Sequence, residues 1–158
     1  MKKIAIIIAV IFVSNSIFAQ KYYTKTGHIS FHSSTPIEDI EAHNYQSTSV
    51  IDFETGEIVF SLLMKGFEFE KALMQEHFNE KYVESDEFPK AKFKGEINEF
   101  ESVDLKTDGE YKVVIVGEMT IHGVTKEVSA EGILEVKDKK VIGSAVFSLA
   151  VADYDIKV

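Results

Sequence analysis

From Tyr22 onward the chain alternates apolar and polar residues with a period of two, broken by short clusters of turn formers. Half-buried antiparallel strands require this pattern, because successive side chains point to opposite faces of a sheet. Tyr23 to Ser33 puts Ile29 and Phe31 on one face and His28, Ser30 and His32 on the other, and Thr35-Pro36 should end that strand. A second strand is expected over Tyr45 to Phe53. Glu54-Thr55-Gly56-Glu57 then supplies a hairpin turn into Glu57 to Lys65, with Ile58, Phe60, Leu62 and Met64 on one side. Later strands are expected over Ala91 to Phe100, Glu110 to His122, Lys126 to Val136 and Val141 to Ala152. Thr107-Asp108-Gly109, His122-Gly123 and Asp138-Lys139-Lys140 are the turns.

One segment departs from this rhythm. Between Glu70 and Glu84 the apolar residues Leu73, Met74, Phe78 and Tyr82 recur at three- and four-residue spacing, as one stripe of a helix does. Phe88-Pro89 stops it, since proline disfavours helical geometry in the residue before it. The longest strand carries Tyr111, Val113, Ile115, Met119 and Ile121 on one side, while Val114 and Val116 add apolar groups to the other. A sheet closed on itself accounts for both faces, one lining an interior and the other packed under the helix or loops. The expected class is therefore all-β with one minor helix. At about 3.3 Å per residue, ten-residue strands make such an interior deep and narrow.

The N-terminus reads as a secretory signal peptide over residues 1–19. Lys2 and Lys3 precede an apolar run from Ile4 to Val13, too short for the roughly 20 residues of a membrane span, and a small residue, Ala19, stands at the expected cut. The remaining 139 residues suit one domain, residues 20–158, placed in the periplasm or secreted, with no second span. With no cysteine among 158 residues, disulfides, thiol chemistry and thiolate metal sites are excluded. Loss of the two lysines takes the formal charge from -9 to about -11, and the chain has no arginine. Nucleic acid and anionic membranes are thus poor partners.

Polar motifs give little support for catalysis or metal binding. His28 and His32 lie four residues apart on one strand, about 13 Å at 3.3 Å per residue, and cannot share an ion. His43 is expected in a loop beside Glu41. Glu76, Glu80 and Glu84 share a helix face at four-residue spacing, but calcium needs six to eight oxygens from a shaped site, so a solvated face is the simpler account. His122, at the corner after the longest strand, is expected to hold the turn by hydrogen bonding. No Gly-x-Ser-x-Gly elbow or other triad context accompanies it, and no enzyme is expected.

Three blocks in this order carry a further signal: Gly27-His28-Ile29-Ser30-Phe31; the stretch from Leu73 to Gly95, containing Gln75-Glu76-His77-Phe78 and Phe88-Pro89-Lys90-Ala91-Lys92-Phe93; and Gly117-Glu118-Met119-Thr120-Ile121-His122-Gly123-Val124-Thr125-Lys126. Together they resemble the YceI-like family of exported, lipocalin-like barrels associated with polyisoprenoid binding. The resemblance implies an elongated antiparallel barrel of about eight strands, with a helix around residues 70–84, holding an isoprenoid, quinone-like or fatty chain. It turns part of the apolar stripe toward ligand lining: Phe31, Phe53, Phe60, Leu62, Met64, Val113, Ile115, Met119, Phe147 and Leu149, with His77 near the head group. On the residues alone, core packing is the better account of these side chains. The family continues after a motif like Asp153-Tyr154-Asp155-Ile156 into a further strand, whereas this sequence stops at Val158, so either the sequence is truncated or the barrel has an unpaired edge.

The resulting expectation is an exported envelope protein binding a lipid-like small molecule, with no metal and no cofactor beyond a bound isoprenoid or other lipid. The competing reading is a secreted acidic interaction or stress-response module whose barrel core is solid.

Overall fold

A computed structural model describes residues 21–34 and 39–157; the signal-peptide assignment and the Thr35-Pro36 stop lie outside them. Eight strands form one antiparallel sheet: β1 (Lys21–Ser34), β2 (Asp39–Asp52), β3 (Glu57–Leu63), β4 (Glu68–Phe69), β5 (Lys90–Asn98), β6 (Gly109–Ile121), β7 (Val124–Lys137) and β8 (Lys140–Val146). The hydrogen-bonded order is β1-β2-β3-β5-β6-β7-β8, and the two-residue β4 pairs with β2.

Alternation places the sides as the sequence implies. Along β6, Val113 and Met119 are buried while Glu110, Lys112 and Glu118 are exposed. Turn chemistry sets the connections. His122 and Gly123 take φ of 51° and 73°, and Asp138 and Lys139 take 51° and 62°, so both tight hairpins use two residues in the left-handed region, which matches strand twist. The β2–β3 turn closes through Gly56 N–H donating to Asp52 O at 2.8 Å. Gly56 has φ +77°, a conformation that a side chain would strain. The Glu54 backbone N–H, followed by Lys21, holds the Asp52 carboxyl below its ordinary pKa.

The sheet curls into a nearly closed barrel. Tyr22 and Ile51, near one edge, pack in the same cluster as Val141 near the other, around buried Leu134 and Val136. A second cluster around Leu62, Met64, Phe78, Phe93 and Met119 also draws in Ile29 and Phe31 of β1 and Val128 of β7. Among the described residues β1 and β8 share no ladder, so the wall is joined there through side chains alone.

Curvature in the middle strands rests on a glycine pair. Gly95 and Gly117 are register partners on β5 and β6, and a Cβ on either would run into the facing backbone and the Phe93 ring. Small residues there let two backbones approach while an aromatic ring covers them.

Several expectations are corrected. The second strand starts at Asp39, so His43 lies inside β2 and not in a loop, because β1 extends the ladder back to Asp39. β3 ends at Leu63, and Met64 and Lys65 enter a 3₁₀ turn, with Met64 still buried. The helix is shorter than residues 70–84. Ala72–His77 is α-helical and Phe78–Tyr82 is π-helical, with Val83 N–H donating to Phe78 O. Leu73 falls off the buried stripe at 62% exposure, and Glu84, with φ 45°, lies beyond the helix and leaves the supposed three-carboxylate face. β8 stops at Val146, six residues short of Ala152, where the chain leaves the ladder for a 3₁₀ turn at Val151–Tyr154. Val114 and Val116 stay exposed on the outer wall and are not covered by helix or loop.

Gly117→Val is expected to destabilise the fold by on the order of 3 kcal/mol, because neither facing backbone has room to give. Denaturant unfolding monitored by circular dichroism would check this, with Val114→Ala, on the outer face of the same strand, nearly neutral.

Candidate ligand-binding interior

The interior is apolar and rich in phenylalanine. Phe31 meets Phe67, Phe69 and Phe78 with ring centroids 5.3, 5.9 and 5.6 Å apart, and Phe60 stacks on Phe93 at 5.2 Å. Edge and offset contacts of this kind add to area burial. Phe78 arrives from the helix, so that element presses its buried stripe onto the barrel contents. At the other end Tyr22 packs edge-on to Phe53.

The residues expected to line a ligand divide between the two clusters. Phe31, Phe60, Leu62, Met64, Met119 and Leu149 belong to the cluster under the helix, Phe53 and Val113 to the other, and Ile115 touches both. Phe147 is different. It lies past the end of β8 and is 38% exposed, so it does not join the interior group. His77 is half-buried on the helix beside Phe78.

Two polar groups in this region were not read from the sequence as part of the interior. Tyr154 is 2% exposed in the cluster under the helix, and its buried hydroxyl has no hydrogen-bond partner among the described residues. Burial, followed by the charge of Asp153, raises its pKa. Asn44 is fully buried but satisfied: its Nδ2 donates to Leu63 O at 2.9 Å and its Oδ1 accepts from Gln46 N–H at 2.9 Å. A sequence signal for Tyr154 existed in the Asp153-Tyr154-Asp155-Ile156 motif, but the expected β8 extension gave no reason to turn the phenol inward.

His122 closes one end of the molecule. Its Nδ1 lies 3.0 Å from Tyr154 O and its Nε2 2.7 Å from Glu84 Oε2, while Phe88 sits edge-on at 4.5 Å. Both nitrogens thus face acceptor oxygens. The expected role in holding the turn is enlarged: this side chain ties the β6–β7 corner to the helix end and to the C-terminal turn.

Two hollows open on the outer surface. One, of ≈ 400 Å³, lies over the glycine pair between Glu57, Lys94, Glu96 and Glu118; the other, of ≈ 320 Å³, lies between β7 and the C-terminal turn, beside Leu149 and Tyr154. Among the described residues no group of three or more histidines and carboxylates is arranged to hold a metal ion, and no helix is long and apolar enough to cross a membrane.

An apolar, aromatic interior within a nearly closed antiparallel sheet, with polar ties at one end, defines the class as an antiparallel β-barrel domain. The chain belongs to the YceI-like domain family, whose model matches residues 17–158. It is similar in fold to a polyisoprenoid binding domain from Saccharophagus degradans implicated in plant cell wall breakdown, with 12% identity, 88% of this chain and 82% of that one covered, and a TM-score of 0.70. The Campylobacter jejuni YCEI protein is similar at 13% identity, with coverage of 98% and 80% and a TM-score of 0.52. Burkholderia cenocepacia BcnA is similar at 11% identity, with coverage of 85% and 72% and a TM-score of 0.51. No curated protein matches the sequence.

His122→Asn keeps a residue that tolerates the left-handed turn but cannot span both partners. It is expected to cost roughly 1–3 kcal/mol, read from the urea midpoint. Tyr154 makes an alkaline prediction. Its folded pKa lies above the ordinary tyrosine value of 10.0, so the native state retains a proton that the unfolded chain releases. Stability is then fully present below pH 10 and declines as pH rises through the folded pKa. Tyr154→Phe should flatten this decline in thermal unfolding measured between pH 9 and 11.

Proposed function

We propose that the chain is an exported binding protein of the cell envelope, periplasmic or secreted, which shelters a long apolar chain inside the barrel and carries out no catalysis. Isoprenoid, quinone-like and fatty chains share the required chemistry. The observation that carries the reading is the apolar interior formed by the two clusters, in a fold shared with a polyisoprenoid binding domain. Each methylene removed from water would contribute about 0.8 kcal/mol before ordering costs, so affinity needs few fixed polar contacts. In this reading Phe31, Phe60, Leu62, Met64, Ile115 and Met119 contact the chain under the helix, and Phe53 and Val113 contact it at the far end. His77 and the unpartnered Tyr154 hydroxyl are the groups proposed to meet ligand oxygen.

The close ring packing around Phe31 and Phe78 supports a second reading, in which the core is solid and the acidic outer surface meets a basic protein. The two readings separate in one measurement. Native mass spectrometry of full-length protein purified gently from its own host is expected to show one bound, solvent-extractable lipid per chain. Empty protein in repeated preparations would remove the lipid proposal and leave the solid core.

A further inference from the structure

The sheet brings together two histidines that are far apart in sequence and lie outside the barrel interior. His28 on β1 and His43 on β2 face outward, with His28 Nε2 3.0 Å from His43 Nδ1 and ring centroids 5.2 Å apart. Glu41 Oε1 lies 3.2 Å from His43 Nε2. A carboxylate at Nε2 holds the proton on that nitrogen and leaves the lone pair on Nδ1, the atom turned toward His28. Metal-bound histidines are commonly oriented in this way, with the second ring nitrogen donating to a carboxylate.

We propose that His28 and His43 form a surface site for one divalent late transition-metal ion, such as Zn²⁺, with Glu41 as a positioning residue. Imidazole nitrogens bind zinc at about 2.0–2.1 Å, which sets two ligands of one ion about 2.8–3.4 Å apart for angles between square and tetrahedral. The observed pair already stands within this range. On binding, His28 moves its proton from Nε2 to Nδ1, both rings enter the site as neutral imidazoles, and water fills the remaining positions. Acid therefore weakens the site, because both imidazoles must be neutral. Two carboxylates raise the local cation concentration: Glu41 itself and Glu68, whose residue on β4 is the register partner of His43. Tyr45 stacks on His28 with centroids 4.6 Å apart and limits the motion of its ring.

The location gives the site a structural effect. Register between β1 and β2 shifts on either side of Gly27, between Thr24 and Gly27 and again between Gly27 and Ile29, so His28 sits in the irregular part of the ladder. β1 is also a sheet edge among the described residues. A metal bridging His28 to His43 would clamp that edge strand across its bulges and stabilise the folded state by mass action.

The test uses the full chain titrated with ZnCl₂, followed by isothermal calorimetry and by thermal unfolding, with MgCl₂ as the hard-cation control. One Zn²⁺ per chain is expected, with a raised melting temperature and no response to Mg²⁺. His28→Ala and His43→Ala should each weaken binding at least tenfold and abolish the thermal shift, and Glu41→Gln should weaken it by about tenfold or more. Both histidines are on the outer wall, and circular dichroism of the metal-free variants checks that they fold. Absence of zinc binding, or binding unchanged in the His28→Ala/His43→Ala double variant, would overturn the site.

Discussion

An antiparallel sheet with one apolar face must hide that face from water, and this chain hides it by bending the sheet until its two edges share a core. Tyr22 and Ile51 share a cluster with Val141 across the interior. Loss of that closure would expose the phenylalanine cluster to solvent at about 25 cal/mol for each Å² uncovered. Bending is possible because Gly95 and Gly117 remove side chains where the two middle strands approach, and Phe93 fills the space they leave. The barrel is therefore held by hydrophobic burial and shaped by two residues with no side chain.

The ends of the barrel are controlled by different forces. Under the helix, Phe78 and Val83 press onto the interior while His122 ties the helix end and the C-terminal turn to the β6–β7 corner. Along the β1–β8 seam no ladder runs between the strands among the described residues. A wall joined there by side-chain packing costs less to part than one held by a row of backbone hydrogen bonds. For an interior proposed to take up a chain-like molecule, that asymmetry places the rigid tie at the helix end and the weaker join along the wall.

Much of the architecture was legible because a strand signals itself locally. Alternation identified the long strands, Gly56 and the pairs His122-Gly123 and Asp138-Lys139 marked the turns, and the change from period two to spacings of three and four located the helix. Failures came where the local pattern underdetermines the path. Val141 to Ala152 continues to look like a strand, yet β8 ends at Val146 and Phe147 lies past its end, 38% exposed. Leu73 fits a helical stripe that the short helix does not bury. For the proposed ligand contacts, residue type suggested an apolar interior, but the motif around Tyr154 did not by itself show that its hydroxyl would be buried there without a partner among the described residues.

The sequence alone determined membership of an all-β class, the turns, and which side of most strands would be apolar, because each depends on a residue and its nearest neighbours along the chain. Tertiary structure decided which distant groups meet. His28 reaches His43 only through an antiparallel register that includes two shifts, and His122 reaches Glu84 and Tyr154 only once the helix and C-terminal turn dock at the same corner. Such meetings depend on the accumulated twist, bulges and closure of the whole sheet, which no short window of sequence contains.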